Sequence, residues 1–136
     1  MSFFINPVAA DQCVFLTYEG AMPPIEIAAA RYEANEALAA RHWNRIVVDI
    51  TELKSRLEAA ELFELGRVLS SDLPQSARVA LVVRAEQARS ARLVESIARN
   101  DGLFIKFFFD VEKATAWVKG LAHREGIKCP QISNRV

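Results

Sequence analysis

The stretch Phe104–Val118 reads FIKFFFDVEKATAWV and places three consecutive phenylalanines, Phe107 to Phe109, just ahead of an aspartate and an apolar repeat. Apart from Lys106, residues 104–109 show no polar alternation, which is the pattern of a strand covered on both faces. The phenylalanines would then alternate between two helical layers, where aromatic rings lose the most contact with water. Asp110 is suited to cap a helix. Ala114, Trp117, Val118 and Leu121 then recur at i, i+3, i+4 and i+7, the spacing of one helix face. A covered strand running directly into an amphipathic helix is the repeating unit of an α/β fold.

The same unit appears twice upstream. RVALVV (Arg78–Val83) is a covered strand, followed by a helix over Glu86–Arg99 with Ala91, Val94, Ile97 and Ala98 facing inward and Asn100-Asp101-Gly102 as its stop. RIVVDI (Arg45–Ile50) is another such strand, followed by a helix from Leu57 to about Ser71 whose apolar face is Ala59, Leu62, Phe63, Leu65 and Leu69. Before these, Pro24 opens a helix with Ile27, Ala30, Ala34, Ala37 and Leu38 at helical spacing. The chain begins with two extended runs, Ser2–Pro7 and Cys13–Glu19, separated by a few residues as in an antiparallel hairpin. The expected architecture is α/β: a mostly parallel sheet, right-handed crossovers, about four flanking helices and an antiparallel N-terminal strand at one side. The five prolines fall at element ends and no linker divides the chain, so residues 1–123 are expected to form one domain, with 124–136 as a loosely ordered tail.

Bulk composition narrows the function. The 136 residues are 51% hydrophobic and 25% charged, within the globular range and outside the disordered one. Seventeen basic residues balance seventeen acidic ones, so no long-range field draws the chain to nucleic acid or an acidic membrane. A net charge of zero also does little to oppose self-association, which makes a homodimer plausible. No run reaches the roughly 20 apolar residues of a membrane span. The opening MSFFINP lacks a basic segment followed by a long apolar one, and Cys13 and Cys129 stand far apart, so a bacterial-type cytoplasmic domain with reduced thiols is expected.

Catalytic signatures are missing. His42 and His123 have no Cys, Asp or Glu at metal-ligand spacing, no G-x-S-x-G elbow occurs, and the five glycines are too scattered for a phosphate loop. Neither cofactor nor metal is expected. The remaining candidates lie where strands of an open α/β sheet end, because ligands and partners meet carboxyl edges. Those ends carry Glu19, Asp49 with Thr51, Arg84 with Glu86, and Asp110. Asp49 closes an otherwise apolar strand, and its simplest role is to accept hydrogen bonds from the loop that follows. A phosphoacceptor role would require an acidic pair after the first parallel strand and a lysine beyond the last. Glu19 stands alone, and Lys106 lies inside its strand. The RVALVV strand and the helix after it are biased basic (Arg78, Arg84, Arg89, Arg92 and Arg99 against Glu86 and Glu95), and the Glu52–Arg67 region is biased acidic, a pattern that would also suit a charged partner or a second copy.

The order of these landmarks resembles the STAS/SpoIIAA-like superfamily, in particular its small stand-alone SpoIIAA-like members. The opening hairpin, RIVVDITEL with its aspartate end, RVALVV, and FFFDVEKATAWV as the closing landmark carry the resemblance over about residues 1–123. It implies a compact α/β domain without catalytic machinery that acts through protein contacts or holds an apolar ligand. The signalling branch carries a phosphorylatable serine at the start of its second helix. That position falls here on Leu57-Glu58-Ala59-Ala60, with Ser55 just before and Glu58 placing a negative charge near the helix N-terminus. The expected partner-binding residues are Asp49, Thr51, Ser55, Glu58, Arg84 and Asp110. In the alternative, an apolar or lipid-like ligand would be held between sheet and helices by Phe63, Phe107, Phe109 and Trp117.

Overall fold

Two strands open the chain, β1 (Phe3–Val8) and β2 (Cys13–Gly20), paired antiparallel with Phe3 opposite Tyr18 and Val8 opposite Cys13. The tight connection places Gln12 at φ 50°. Pro7, which cannot donate to a ladder, sits in β1, the edge strand, where proline is tolerated. These and the following statements come from a computed structural model that describes residues 3–54 and 76–120.

Helix α1 (Pro24–Arg41) follows, with Pro24 in its first turn and His42 at φ 59° closing it in the left-handed conformation. Strands β3 (Arg45–Leu53), β4 (Arg78–Val82) and β5 (Phe104–Phe108) extend the sheet in the order β1-β2-β3-β4-β5, all parallel from β2 onward. Between β4 and β5 a single 3-10 turn (Ala85–Gln87) leads into α2 (Ala88–Asn100), and α3 (Val111–Val118) follows β5.

The period-2 alternation of each strand sorts the core onto two faces. Val14, Leu16, Ile46, Val48, Val79, Leu81 and Ile105 meet Ile27, Ala30, Ala34 and Leu38 of α1 and Ala91, Val94 and Ala98 of α2. Alanines dominate the helix side and let both helices approach the branched residues of the sheet closely. On the opposite face Cys13, Val47, Ala80 and Val82 pack against Ala114, Trp117 and Val118 of α3. Full burial of each Val or Leu side chain contributes about 1.5–3 kcal/mol. The central strands therefore carry most of the stability. No described helix is long and apolar enough to cross a membrane.

Two expectations need correction. The Phe104–Phe109 segment is extended and alternates between two helix-packed faces as expected, yet β5 is an edge strand and its cover is incomplete. Its rings are split: Phe107 and Phe108 are half-buried on opposite faces, while Phe104 is 46% and Phe109 62% exposed. Apolar content alone does not distinguish an edge from a centre, since the distinction depends on which strand pairs outside it. Second, β3 runs three residues past Ile50, to Leu53. The described residues contain three α-helices; the helix expected from Leu57 lies outside them, as does the 124–136 tail.

Candidate functional site

The extra length of β3 creates the most constrained region of the carboxyl-end rim. Thr17 pairs with Asp49, but Glu19 pairs with Glu52, so three steps on β3 answer two on β2. One residue of β3 is therefore bulged out of the ladder between Asp49 and Glu52. On the other side β4 stops at Val82, in register with Asp49, leaving the end of β3 with no strand beside it. Buried backbone groups left in this way need other partners.

Side chains supply them. Asp49 Oδ1 accepts from the Thr51 backbone N–H at 2.9 Å and from the Thr51 hydroxyl at 2.7 Å, closing the bulge from within. Arg84 Nη1 donates to the carbonyl oxygen of Thr51 and, at 3.4 Å, to that of Leu53. Gln87 Nε2 donates to the Ile50 carbonyl at 2.8 Å and to Leu53 at 3.4 Å, while its Oε1 accepts from the Arg84 N–H at 2.8 Å. The segment from Arg84 to Gln87 thus stands where a sixth or seventh residue of β4 would have stood. Lys54 N–H continues the β2 side by donating to Gly20 at 2.9 Å, where Gly20 takes φ +70°, a conformation few other residues adopt.

The outward side of this rim is charged. Arg84 Nε lies 3.4 Å from Glu86 Oε2, with the two side chains 38% and 73% exposed. The Glu86 carboxyl is held below the usual carboxylate range, first by its own backbone N–H and then by Arg84. A pair this exposed contributes little to stability, so its value lies in the pattern it presents. Chemically the rim offers a fixed guanidinium, a flanking carboxylate and the Thr51 hydroxyl held on Asp49. Among the described residues no group of three or more His, Cys, Asp and Glu is arranged to hold a metal. The Cys13 thiol is buried and pushed up to about 12, chiefly by burial and next by Asp11, far from a reactive thiolate.

Of the residues expected at the site, Asp49, Thr51 and Arg84 come together in one hydrogen-bonded network. Asp110 does not join it: its Oδ1 accepts from Glu112 N at 2.7 Å and Lys113 N at 3.2 Å as the N-cap of α3. Glu19 is exposed on β2 opposite Glu52. Ser55, Glu58 and Phe63 lie outside the described residues. Of the aromatic set, Phe107 packs on the α1/α2 face and Trp117 on the α3 face, so no single cavity includes both. Phe109 stacks edge-on to Phe107 at 5.8 Å and is mostly exposed. Gln87 is the residue that sequence reasoning missed. Its signal was a glutamine three positions after a strand-ending arginine, the spacing at which an N3 side chain reaches back to a cap N–H.

No protein-family model matches the chain, and no curated protein matches it. Solved structures do. An uncharacterized protein of the DUF3478 family with a SpoIIAA-like fold, from Shewanella loihica PV-4, superposes with a TM-score of 0.61 at 21% identity, covering 86% of this chain and 93% of that one. An anti-sigma factor antagonist from Mycobacterium paratuberculosis superposes with a TM-score of 0.59 at 16% identity, covering 87% and 95%. Taken with the sheet order and the antiparallel first pair, the chain has the SpoIIAA-like, or STAS, fold.

Proposed function

We propose that this protein is a non-enzymatic interaction module, regulatory in role, that binds a protein partner through the rim formed by Asp49, Thr51 and Arg84. Asp110, Ser55 and Glu58 are kept in the proposal as further partner-binding residues on the strength of the sequence alone. The observation that carries this reading is the Arg84–Gln87 bridge to the end of β3. It fixes a charged, partly exposed rim, and preorganised polar surface of this kind lowers the ordering cost of meeting a complementary partner. One structural neighbour is an anti-sigma factor antagonist, which supports a partner that is itself a protein. The position that the resemblance assigns to the signalling serine falls on Leu57-Glu58-Ala59-Ala60, which carries no hydroxyl, so that switch is not part of the proposal.

The test is affinity capture with wild type, Asp49→Ala and Arg84→Met, each shown folded by circular dichroism. Loss of the same captured protein in both variants supports the rim; capture unchanged in both removes it. Analytical ultracentrifugation of the protein alone separates self-association from a second polypeptide. The carrier reading, with Phe63, Phe107, Phe109 and Trp117 around an apolar ligand, has no observation in its favour, since Phe107 and Trp117 face opposite ways. Native mass spectrometry of detergent-free protein would revive it if a ligand co-purified.

A further inference from the structure

The opposite pole of the sheet gathers three cations, Arg45, Arg78 and Lys119, around one carboxylate among the described residues, that of Asp11. Arg45 and Arg78 are direct register partners on β3 and β4 and so project from the same face of the sheet. Like charges placed side by side across strands are destabilising. Lys119, just past α3, joins them. Asp11 supplies one carboxylate, but Lys119 Nζ takes it at 2.9 Å. Arg45 reaches Asp11 through the backbone carbonyl, at 2.8 Å. Arg78 Nη1 donates to the Trp117 carbonyl at 2.9 Å, and its guanidinium lies 4.9 Å from the Phe104 ring centre and 5.7 Å from that of Trp117. Among the described residues, neither guanidinium forms an ion pair with a carboxylate. The Arg78 guanidinium is pushed below its ordinary range by burial and then by Arg45, the direction expected when positive charges crowd without compensation.

Part of this arrangement is structural: the arginine and lysine stabilise the carbonyl end of α3. Arg78 uses one of its five donors on the Trp117 carbonyl, and Arg45 one of its five on the Asp11 carbonyl. Both half-buried side chains stand at the same end of the sheet as register partners, and the Arg78 guanidinium lies against two aromatic rings. From Arg45, Arg78 and the Lys119–Asp11 pair we infer a binding site for a small oxyanion of the phosphate type, distinct from the Asp49–Arg84 rim and independent of its role. Guanidinium pairs are the preferred geometry for such groups.

Trp117 makes the site observable. With Trp43→Phe in the background, Trp117 is the sole tryptophan. Inorganic phosphate is titrated into the full chain at constant ionic strength while Trp117 emission is followed, with O-phosphoserine in a parallel titration. A saturable change in the millimolar range is expected. Arg45→Gln removes a charge-assisted donor, and Lys119→Gln releases Asp11 to neutralise Arg45. Each should weaken binding about tenfold, while Arg89→Gln on α2 leaves it unchanged. Tighter binding of O-phosphoserine assigns the site to phosphate esters, and equal binding assigns it to the free ion. A linear, non-saturating response, or a saturable one that neither Arg45→Gln nor Lys119→Gln alters, overturns the inference. Lys119 is at the surface end of α3, so its variant keeps the test available should Arg45→Gln fail to fold.

Discussion

The side-chain amide of Gln87 donates to the main-chain carbonyl of Ile50 at 2.8 Å, across thirty-seven residues of sequence. A helical turn thereby completes a strand that has outrun its neighbour. Gln87→Ala would leave the Ile50 carbonyl without this donor and free the Arg84 N–H. The expected loss is about 1–3 kcal/mol in urea unfolding, with an unchanged m-value. Gln87→Glu should recover the Arg84 contact and not the Ile50 one, giving an intermediate midpoint.

The end of β5 depends on α3. Trp117 packs against Val47, Ala80 and Val82 and touches the Phe104 ring at 5.2 Å and the Phe108 ring at 5.7 Å. Trp117→Ala is expected to cost about 3–5 kcal/mol. Asp110→Ala, which removes the cap, should cost about 1 kcal/mol. Thermal unfolding of both variants orders the two effects, with the tryptophan change larger by several degrees.

The outer edge of β5 is closed by side chains from α2. Val83 N–H donates to the Phe108 carbonyl, so the backbone polar groups of Phe108 point to β4 and those of Ile105 and Phe107, of opposite parity, point to the open edge. There Glu95 Oε2 accepts from Phe107 N–H at 3.0 Å and Arg99 Nε donates to the Ile105 carbonyl at 2.7 Å. Side chains that occupy edge groups prevent another strand from pairing with them. Glu95→Ala combined with Arg99→Ala should produce concentration-dependent association in analytical ultracentrifugation, above any seen for wild type.

Alkaline pH acts through two buried acids. Cys13 rises from 9.0 to about 12 and Tyr18 from 10.0 to about 12, each chiefly by burial. Both therefore hold their protons more tightly folded than unfolded. Their contribution is complete below pH 9 and declines as pH climbs from there toward 12. The melting temperature of wild type should fall between pH 9 and 11. The fall should begin at higher pH in Cys13→Val, where only Tyr18 titrates in this way. A flat profile in wild type contradicts the assignment.

How much of this was legible in the sequence follows from what each signal reports. RVALVV and RIVVDI showed their strands because burial on both faces removes polar alternation. Pro24 and Asp110 showed helix starts because their backbone chemistry is local. The phenylalanine triplet misled because aromatic content reports apolar surface without reporting which strand lies outside; the smaller residues of β2, β3 and β4 form the centre. At the rim, Asp49 with Thr51 was readable as a local hydrogen-bonding pair. Arg84 was readable as a strand-end charge, but its bond to Thr51 was not, because it depends on a bulge and on the shortness of β4. Gln87 escaped for the same reason.

The most direct measurement places a photo-crosslinking residue at Glu52, exposed beside the rim, and in a second protein at Glu36, exposed on α1. Both are irradiated in cells, and adducts are resolved by mass. The account predicts a discrete protein adduct from position 52 that is absent from position 36 and is lost when Arg84→Met is added. An adduct from position 36 alone, or one from position 52 indifferent to Arg84→Met, would contradict it.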